Sequence, residues 1–493
     1  MMDSVAWRLF FTVWLIYTFH FASDVVRETY LAITLAEDAS IRVDEYMGLH
    51  PDLFQMEGRG AFINNNPGAS IMGAVPYAIA RPAFELLYRW KPGLIAPKPD
   101  ATYDDPRPNR NKFFDAVRAR GLDIKLGLAA AAMHAGLMVP LGAAAAVAVF
   151  LYLRTTLNDE RKALWLALLY AFGTPIFFRS AFLNQNVLIA HAMLVAFLAA
   201  SSLARDHGSA PATRRLLLIG LMAGVGLLCD YSAMPLAIVF GLWVIAQGWR
   251  RGGFNEGLGW GLKYVAGAAG PIALLLAYQW AAFGNPLLPA QSYMPPTRYS
   301  VLGWNGFFWP NSELMWRNLL DPAFGLFVFC PLLVLALFAP LLKHREGGLQ
   351  RNELWLILGV AGSLYLFLSC VAFAFLQWNT GVRYMVPAVP LLFFAAVPVL
   401  LRLPEWARYA VVIPTVSISW AVSMTRDGVP GALSRVFLQG FELPWLTVLR
   451  KTSSGYLASL SSGASPIAIF VLLAVILWLV WRPYMRNSTR PLA

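Results

Sequence analysis

Apolar runs long enough to cross a bilayer recur along nearly the whole of this chain, and that feature excludes most soluble architectures. They fall at 5–22, 126–153, 163–178, 186–204, 214–229, 232–248, 264–283, 324–342, 354–375, 383–401, 409–424 and 465–481. Each is read as a membrane helix. Composition agrees, with 58% of the 493 residues hydrophobic and only 13% charged, against roughly 45–50% and 25% in a soluble domain. The predicted fold class is an all-α polytopic membrane protein.

One further stretch tests the count. "GASIMGAVPYAIARPAFELLYRW" (68–90) is apolar, yet it carries Pro76, Arg81, Pro82 and Glu85. Short cytoplasmic loops collect Lys and Arg, so loop charge can arbitrate. If 68–90 does not cross, the loops 154–162, 205–215, 249–263, 343–353 and 402–408 all lie inside, and each holds two or three basic residues. The first carries Arg154, Arg161 and Lys162, the second Arg205, Arg214 and Arg215. The turns at 179–185, 229–231 and 376–382 hold one between them, Arg179. A thirteenth span would invert that pattern for every later loop. The expectation is therefore twelve spans, both termini cytoplasmic, with 68–90 a re-entrant or interfacial helix pair.

This topology gathers the long hydrophilic segments 23–125, 284–323 and 425–464 on the outer side. Long loops translocate regardless of charge, so the basic content of 91–125 is no objection. Pro and Trp punctuate 284–323, which predicts ordered irregular structure rather than a linker. The formal charge of +12 lies largely in short loops between spans, so it points to no nucleic-acid partner. Cys229, Cys330 and Cys370 sit in or beside apolar runs and offer neither a disulfide framework nor metal spacing. His20 spoils a small-residue cleavage pattern before Ala22, so the first span is expected to be retained. No inverted repeat of the kind common in transporters is visible.

Chemistry is therefore sought on the outer side, beginning where the first span runs into "FHFASDVVRETYLAI". Asp24 and Arg27 lie there within a helical turn of each other, close to hydrocarbon, where charges need a partner, water or a task. A helical stretch ending in "SIRVDEY" follows. Then come Asp52 and the turn "GRGAFINNNPG", leading into 68–90. This layout resembles the GT-C superfamily of membrane glycosyltransferases, in the bacterial lipid-carrier-dependent branch near the protein O-mannosyltransferases and lipid A aminoarabinose transferases. "GLMAGVGLLCDYSAMPLAIVF" resembles that branch's small-residue hairpin with an acidic residue and Tyr at its tip. "NLLDPAFGLFVFCPLLVLAL" and "WNTGVRYMVPAVPLLFFA" are similar to its Gly-aromatic-Pro and Gly-x-Arg-Tyr-x-x-Pro spans. There are two departures from it. Val25 stands where the family has the second residue of an acidic pair, and Asn64, Asn65 and Asn66 stand where a turn Lys is usual.

The resemblance implies a GT-C-like bundle in a bacterial inner membrane, its site facing the periplasm or exterior. It also implies transfer of a sugar from a polyprenyl-phosphate or diphosphate carrier to a lipid, polysaccharide or protein acceptor. Such a reaction needs a base for the acceptor hydroxyl, a cation for the departing phosphate and in-line placement of an oxocarbenium-like centre. Asp24 is the expected base, its bland counterpart being a helix-end cap. As a mere i, i+3 partner, Arg27 would contribute only about 0.2–0.5 kcal/mol. Arg27, Arg383, Tyr384, Asn65 and Asn66 are the expected phosphate contacts, Arg383 being otherwise an interfacial snorkelling residue. Asp230 with Tyr231, Asp44 and Asp52 are secondary acidic or acceptor candidates; His50 and His191 are weaker ones. The aromatic "WNGFFWPNSELMW" suits either sugar stacking or an interfacial belt. No cofactor and no metal are expected. Two alternatives stay open. A glycan polymerase or ligase would handle diphosphate donors and carry more outer basic residues than Arg27 and Arg383. A lipid-sugar flippase would bury charges at mid-membrane.

Overall fold

Helical structure occupies every one of the predicted apolar runs. The computed structural model describes residues 4–99, 108–205, 212–342, 348–375, 381–451 and 466–488. In chain order the helices are α1 (Ser4–Phe19), α2 (Arg27–Asp38), α3 (Gly68–Trp90), α4 (Pro108–Ala119), α5 (Asp123–Met133), α6 (Val139–Leu157), α7 (Glu160–Gly173), α8 (Pro175–Arg179), α9 (Gln185–Arg205), α10 (Ala212–Cys229) and α11 (Met234–Phe283). The remainder are α12 (Ser312–Leu320), α13 (Leu326–Phe329), α14 (Arg351–Ser369), α15 (Val389–Arg402), α16 (Glu405–Thr425), α17 (Val429–Gln439), α18 (Pro444–Lys451) and α19 (Pro466–Ser488). A π-turn at His134–Met138 joins α5 to α6, so that pair runs as one long span. Among the described residues, seven helical stretches are long and apolar enough to cross a membrane. The longest of them contains α11, which breaks at Gly252 and Gly253 and so provides two of the predicted spans. The run 324–342 is mostly tight 3-10 helix from Pro331 to Leu341. Pro331 opens that stretch and Pro340 sits inside it, each without an N–H to donate.

Close approach of α10 and α11 shows how small residues assemble the bundle. A Cβ on Gly220 would lie 1.9 Å from the Tyr264 carbonyl oxygen, and one on Gly267 would lie 2.1 Å from that of Leu217. Only glycine lets the two backbones touch, the usual device of membrane helices that gain little from apolar burial against lipid.

Residues 68–90 form one continuous helix, which corrects the expected helix pair. Neither Pro76 nor Pro82 breaks it. One side is anchored on α2: Tyr77 donates to Glu37 Oε1 at 2.6 Å, and Arg81 Nη1 donates to the carbonyls of Ala36 and Glu37. The other side leaves Val75, Ile79, Leu86 and Trp90 exposed, at helical spacing. That is the distribution of a helix lying in an interface. The segment also contains a structure that its sequence does not advertise, an antiparallel hairpin of β1 (Leu53–Met56) and β2 (Gly60–Ile63), with Phe54 opposite Phe62.

The described parts of the long segments pack at one end of the bundle. Phe283 at the end of α11 meets Phe62 of the hairpin edge-on at 5.3 Å and stacks on Tyr293 at 5.0 Å. Gly68 seats against the Leu228 backbone, where an added Cβ would fall 2.6 Å from the carbonyl. Trp445 in α18 donates to the Phe19 carbonyl at 3.1 Å. Residues 452–464 of the segment 425–464 and 100–107 of the segment 23–125 lie outside the described residues, as do 206–211, 343–347 and 376–380.

Candidate active site

At that end a cavity of about 880 Å³ opens between the root of the first long segment, the α8–α9 turn and the loop before α15. Its lining includes Asp24, Arg27, Glu28, His50, Asp52, Arg110, Lys112, Arg179, Phe182, Asn184, Gln185 and Arg383. Five cationic side chains and three carboxylates thus share it. The chain reaches it by leaving α1 and tying Ala22 N to the Ala181 carbonyl at 2.9 Å.

Asp24 sits between two guanidinium groups that are far away in sequence. Arg110 Nη2 donates to its Oδ1 at 2.7 Å and Arg426 Nη2 to its Oδ2 at 3.1 Å. Arg426 is itself fixed. It caps α16 in the left-handed region, donates to the Phe178 carbonyl at 2.5 Å and lies over the Phe182 ring at 5.2 Å.

Arg27 turns to other carboxylates than Asp24. Its Nε donates to Glu28 Oε1 at 3.1 Å and its Nη1 to Asp52 Oδ2. Burial alone would lower the pKa of Arg27, but Glu28 and Asp52 outweigh it and raise it above the ordinary value. Burial likewise raises the Asp52 carboxyl, while Arg27, His50 and Arg383 pull it further down, below its ordinary range. His50 Nδ1 accepts from Asp52 N at 3.0 Å. Burial is the main reason that its imidazole falls to about 4, with Arg27 adding to the effect and Asp52 opposing it.

Arg383 is presented by a loop that Arg179 clamps. Arg179 Nε and Nη2 donate at 3.0 Å to the carbonyls of Val382 and Gly381, and Val382 adopts a φ of 53° that a β-branched residue rarely takes. The Arg383 guanidinium lies over the Tyr384 ring at 4.8 Å and beside Asp52.

The structure thus brings Asp24, Arg27, Asp52 and Arg383 together, and places the other sequence candidates beside or away from the cavity. Asn65 donates to Glu28 Oε1 at 2.7 Å and Asn66 to the Leu227 carbonyl at 2.7 Å, so both serve the protein frame. Asp44 binds Arg42 at 2.8 Å and the Ala61 amide at 2.7 Å, which fixes the hairpin. Asp230 caps the turn before α11 by accepting from Ser232 N at 2.8 Å, and Tyr231 takes a bond from Gln279. Trp304, Trp309 and Trp316 are exposed outside the cavity lining. His191 is buried within α9. Among the described residues, no group of three His, Cys, Asp or Glu side chains is disposed to hold a metal ion.

Sequence reasoning missed Glu28, Arg110, Arg179 and Arg426 as site residues. Arg179 did carry a signal, as the one basic residue in turns otherwise free of them. Gln185 and Asn184 were missed too, because amides at a helix start read as caps. Gln185 is buried and its Nε2 has no protein partner.

The described residues form an all-α bundle with helices long and apolar enough to cross a membrane and a charged cavity at one end. Residues 135–279, from the π-turn into the last turns of α11, match the family described as dolichyl-phosphate-mannose-protein mannosyltransferase. That match supports a multi-pass membrane enzyme, a lipid-carrier-dependent glycosyltransferase of GT-C type. It covers Arg179, Asn184 and Gln185 but not Asp24, Asp52, Arg383 or Arg426. No curated protein and no solved structure matches the chain.

Proposed function

We propose that the cavity is where a polyprenyl-phosphate-linked sugar meets its acceptor on the outer face of a bacterial inner membrane. The carrying observation is a carboxylate, Asp24, held beside an excess of guanidinium groups at the bundle end where α3 lies amphipathic. Asp24 is the base that takes the acceptor proton as its oxygen attacks the anomeric carbon. The glycosidic bond to phosphate breaks with inversion, and the leaving phosphate keeps the electron pair under the charge of Arg383 and its cationic neighbours. Glu28 and Asp52 both pair with Arg27 and hold the wall in place. The reaction is proposed to be metal-independent, so washing membranes with a chelator should leave transfer intact. The main test compares wild type with Asp24→Asn in membranes given radiolabelled polyprenyl-phosphate sugars. Transfer should fall by at least about 10²-fold, the low end for loss of a general base; undiminished transfer overturns the assignment.

One observation favours a diphosphate-linked donor as a second reading. Arg110, Lys112, Arg179 and Arg426 join Arg27 and Arg383 in or behind the cavity wall, more cationic groups than a single phosphodiester requires. Matched mono- and diphosphate-linked sugars, supplied to the same membranes, separate the two readings by which one is consumed.

A further inference from the structure

The opposite end of the bundle carries a second cavity, of about 560 Å³, lined by Arg250, Gln350, Arg351, Asn352 and Trp355. The length of α14 separates it from the first. Ser369, the last residue of α14, accepts from Asn311 N in the segment 284–323, and Arg351, the first, lies roughly 27 Å away along the axis. Two apolar stripes run towards this second cavity. On α11, Ile238, Leu242, Ile245 and Trp249 are exposed at helical spacing, and on α14 Leu366, Gly362 and Trp355 are. The two helices touch on the way, since a Cβ on Gly359 would lie 3.1 Å from Val239 Cγ1. Each stripe therefore ends at a Trp with an exposed Arg close by, Trp249 with Arg250 and Trp355 with Arg351. Tryptophan at the end of a lipid-facing stripe marks headgroup level.

Among the described residues, the lining holds two guanidinium groups and no carboxylate. The acidic residues of α11 and α14 are engaged elsewhere. Glu256 accepts from the Trp260 indole, and Glu353 accepts from Arg205 and Ser201. We propose that this cavity binds the headgroup of an anionic glycerophospholipid whose acyl chains lie along the two stripes. A guanidinium fork matches the two free oxygens of a phosphodiester. The side-chain amides of Gln350 and Asn352 stand beside it for glycerol hydroxyls. Basic pockets between membrane helices are suited to such headgroups. A zwitterionic lipid brings the same phosphodiester but adds an ammonium, which meets two like charges and no carboxylate among the described lining residues. The site thus selects by net charge, independently of the reaction proposed for the first cavity.

The test locates the lipid as well as detecting it. Full-length protein in detergent is mixed with phosphatidylglycerol carrying a diazirine near its headgroup and then irradiated. Crosslinking to the chymotryptic peptides that carry positions 250 and 351 is quantified by mass spectrometry. Competitors are unlabelled phosphatidylglycerol, phosphatidylcholine with the same chains, and inorganic phosphate as the tail-free anion. In wild type, phosphatidylglycerol should lower crosslinking at these peptides several-fold, whereas equal amounts of phosphatidylcholine or inorganic phosphate should not. The double variant Arg250→Gln with Arg351→Gln should lose several-fold of the crosslinking there. Both side chains are exposed, so its melting temperature should match that of wild type. Equal competition by phosphatidylcholine overturns the charge selection, and displacement by inorganic phosphate makes the ligand a soluble anion. A folded double variant that crosslinks like wild type removes the two arginines from the site and overturns it.

Discussion

Arg27 occupies the first position of α2, where the helix dipole repels a cation, and it is buried as well. Two costs at one residue need a compensating arrangement, and Glu28 with Asp52 provides it. Arg27→Met removes the cation but leaves Glu28 at 1% exposure with Asn65 as its hydrogen-bond donor. The expected loss is about 3–5 kcal/mol, the range for stripping one partner from a buried pair, measured by thermal unfolding in nanodiscs. His50 gives the same wall a pH dependence. Its folded value of about 4 lies below its ordinary 6.5, so the fold prefers the neutral ring. That contribution is fully present above about 6.5 and is lost as the pH falls towards 4. Asp52 acts in the same sense, because its lowered value adds stability that disappears as acid protonates it. Melting temperature should therefore drop between pH 6.5 and 4, and His50→Asn should flatten the upper part of that drop. An equally steep profile in the variant would remove His50 from the account. Of these residues, Asp24, Arg27, Asp52 and Arg383 stood out in the sequence, because charges beside apolar runs are conspicuous. Arg110 and Arg426 did not, since their meaning lies in a contact with Asp24 that spans 86 residues in one case and 402 in the other.

At the scale of elements, apolar length located the membrane helices well, because hydrocarbon thickness leaves little freedom. It was less informative about α3, where Pro76 and Pro82 suggested a break. Each proline removes one donor, but a helix resting on α2 through Tyr77 and Arg81 has its course fixed from outside. The hairpin 53–63 was hidden for a different reason. Its strands are four residues each, too short for alternation to register, and they are stabilised by Phe283 from a distant helix. The exposed stripe Val75, Ile79, Leu86 and Trp90 makes a further prediction. A spin label at Ile79→Cys should sit about 5–10 Å into the headgroup–acyl boundary, as measured by collision with oxygen and a water-soluble relaxant. A depth near the bilayer centre would make α3 a thirteenth span, and free accessibility to the aqueous relaxant would take it off the membrane.

The whole molecule divides its labour between two ends, and the second end is held by one buried carboxylate. Glu353 at the start of α14 accepts from Arg205 Nε and Nη2, each at 2.7 Å, from the Gln350 amide at 2.7 Å and from the Ser201 hydroxyl. Arg205 also donates to the Gly348 carbonyl at 2.6 Å and to Tyr152 at 3.1 Å, so α6, α9 and α14 meet at this point. The alternation of Lys- and Arg-rich loops with nearly uncharged turns made the two ends visible in the sequence. The Glu353 junction was not, because an acidic residue in a loop rich in basic ones reads as a solvated loop charge. Glu353→Ala should destabilise by about 2–3 kcal/mol, below the full value for a buried pair because Arg205 is 30% exposed and water takes up part of its charge. Sites that share no partners add independently, so polyprenyl-phosphate binding, counted by native mass spectrometry, should be unchanged in the folded variant. Arg27→Met should impair both stability and binding, because its partner Asp52 lines the cavity beside Arg383. A Glu353→Ala protein that melts normally, or one that stays folded yet loses the lipid, would mean that the two ends are not the separate units their bonding describes.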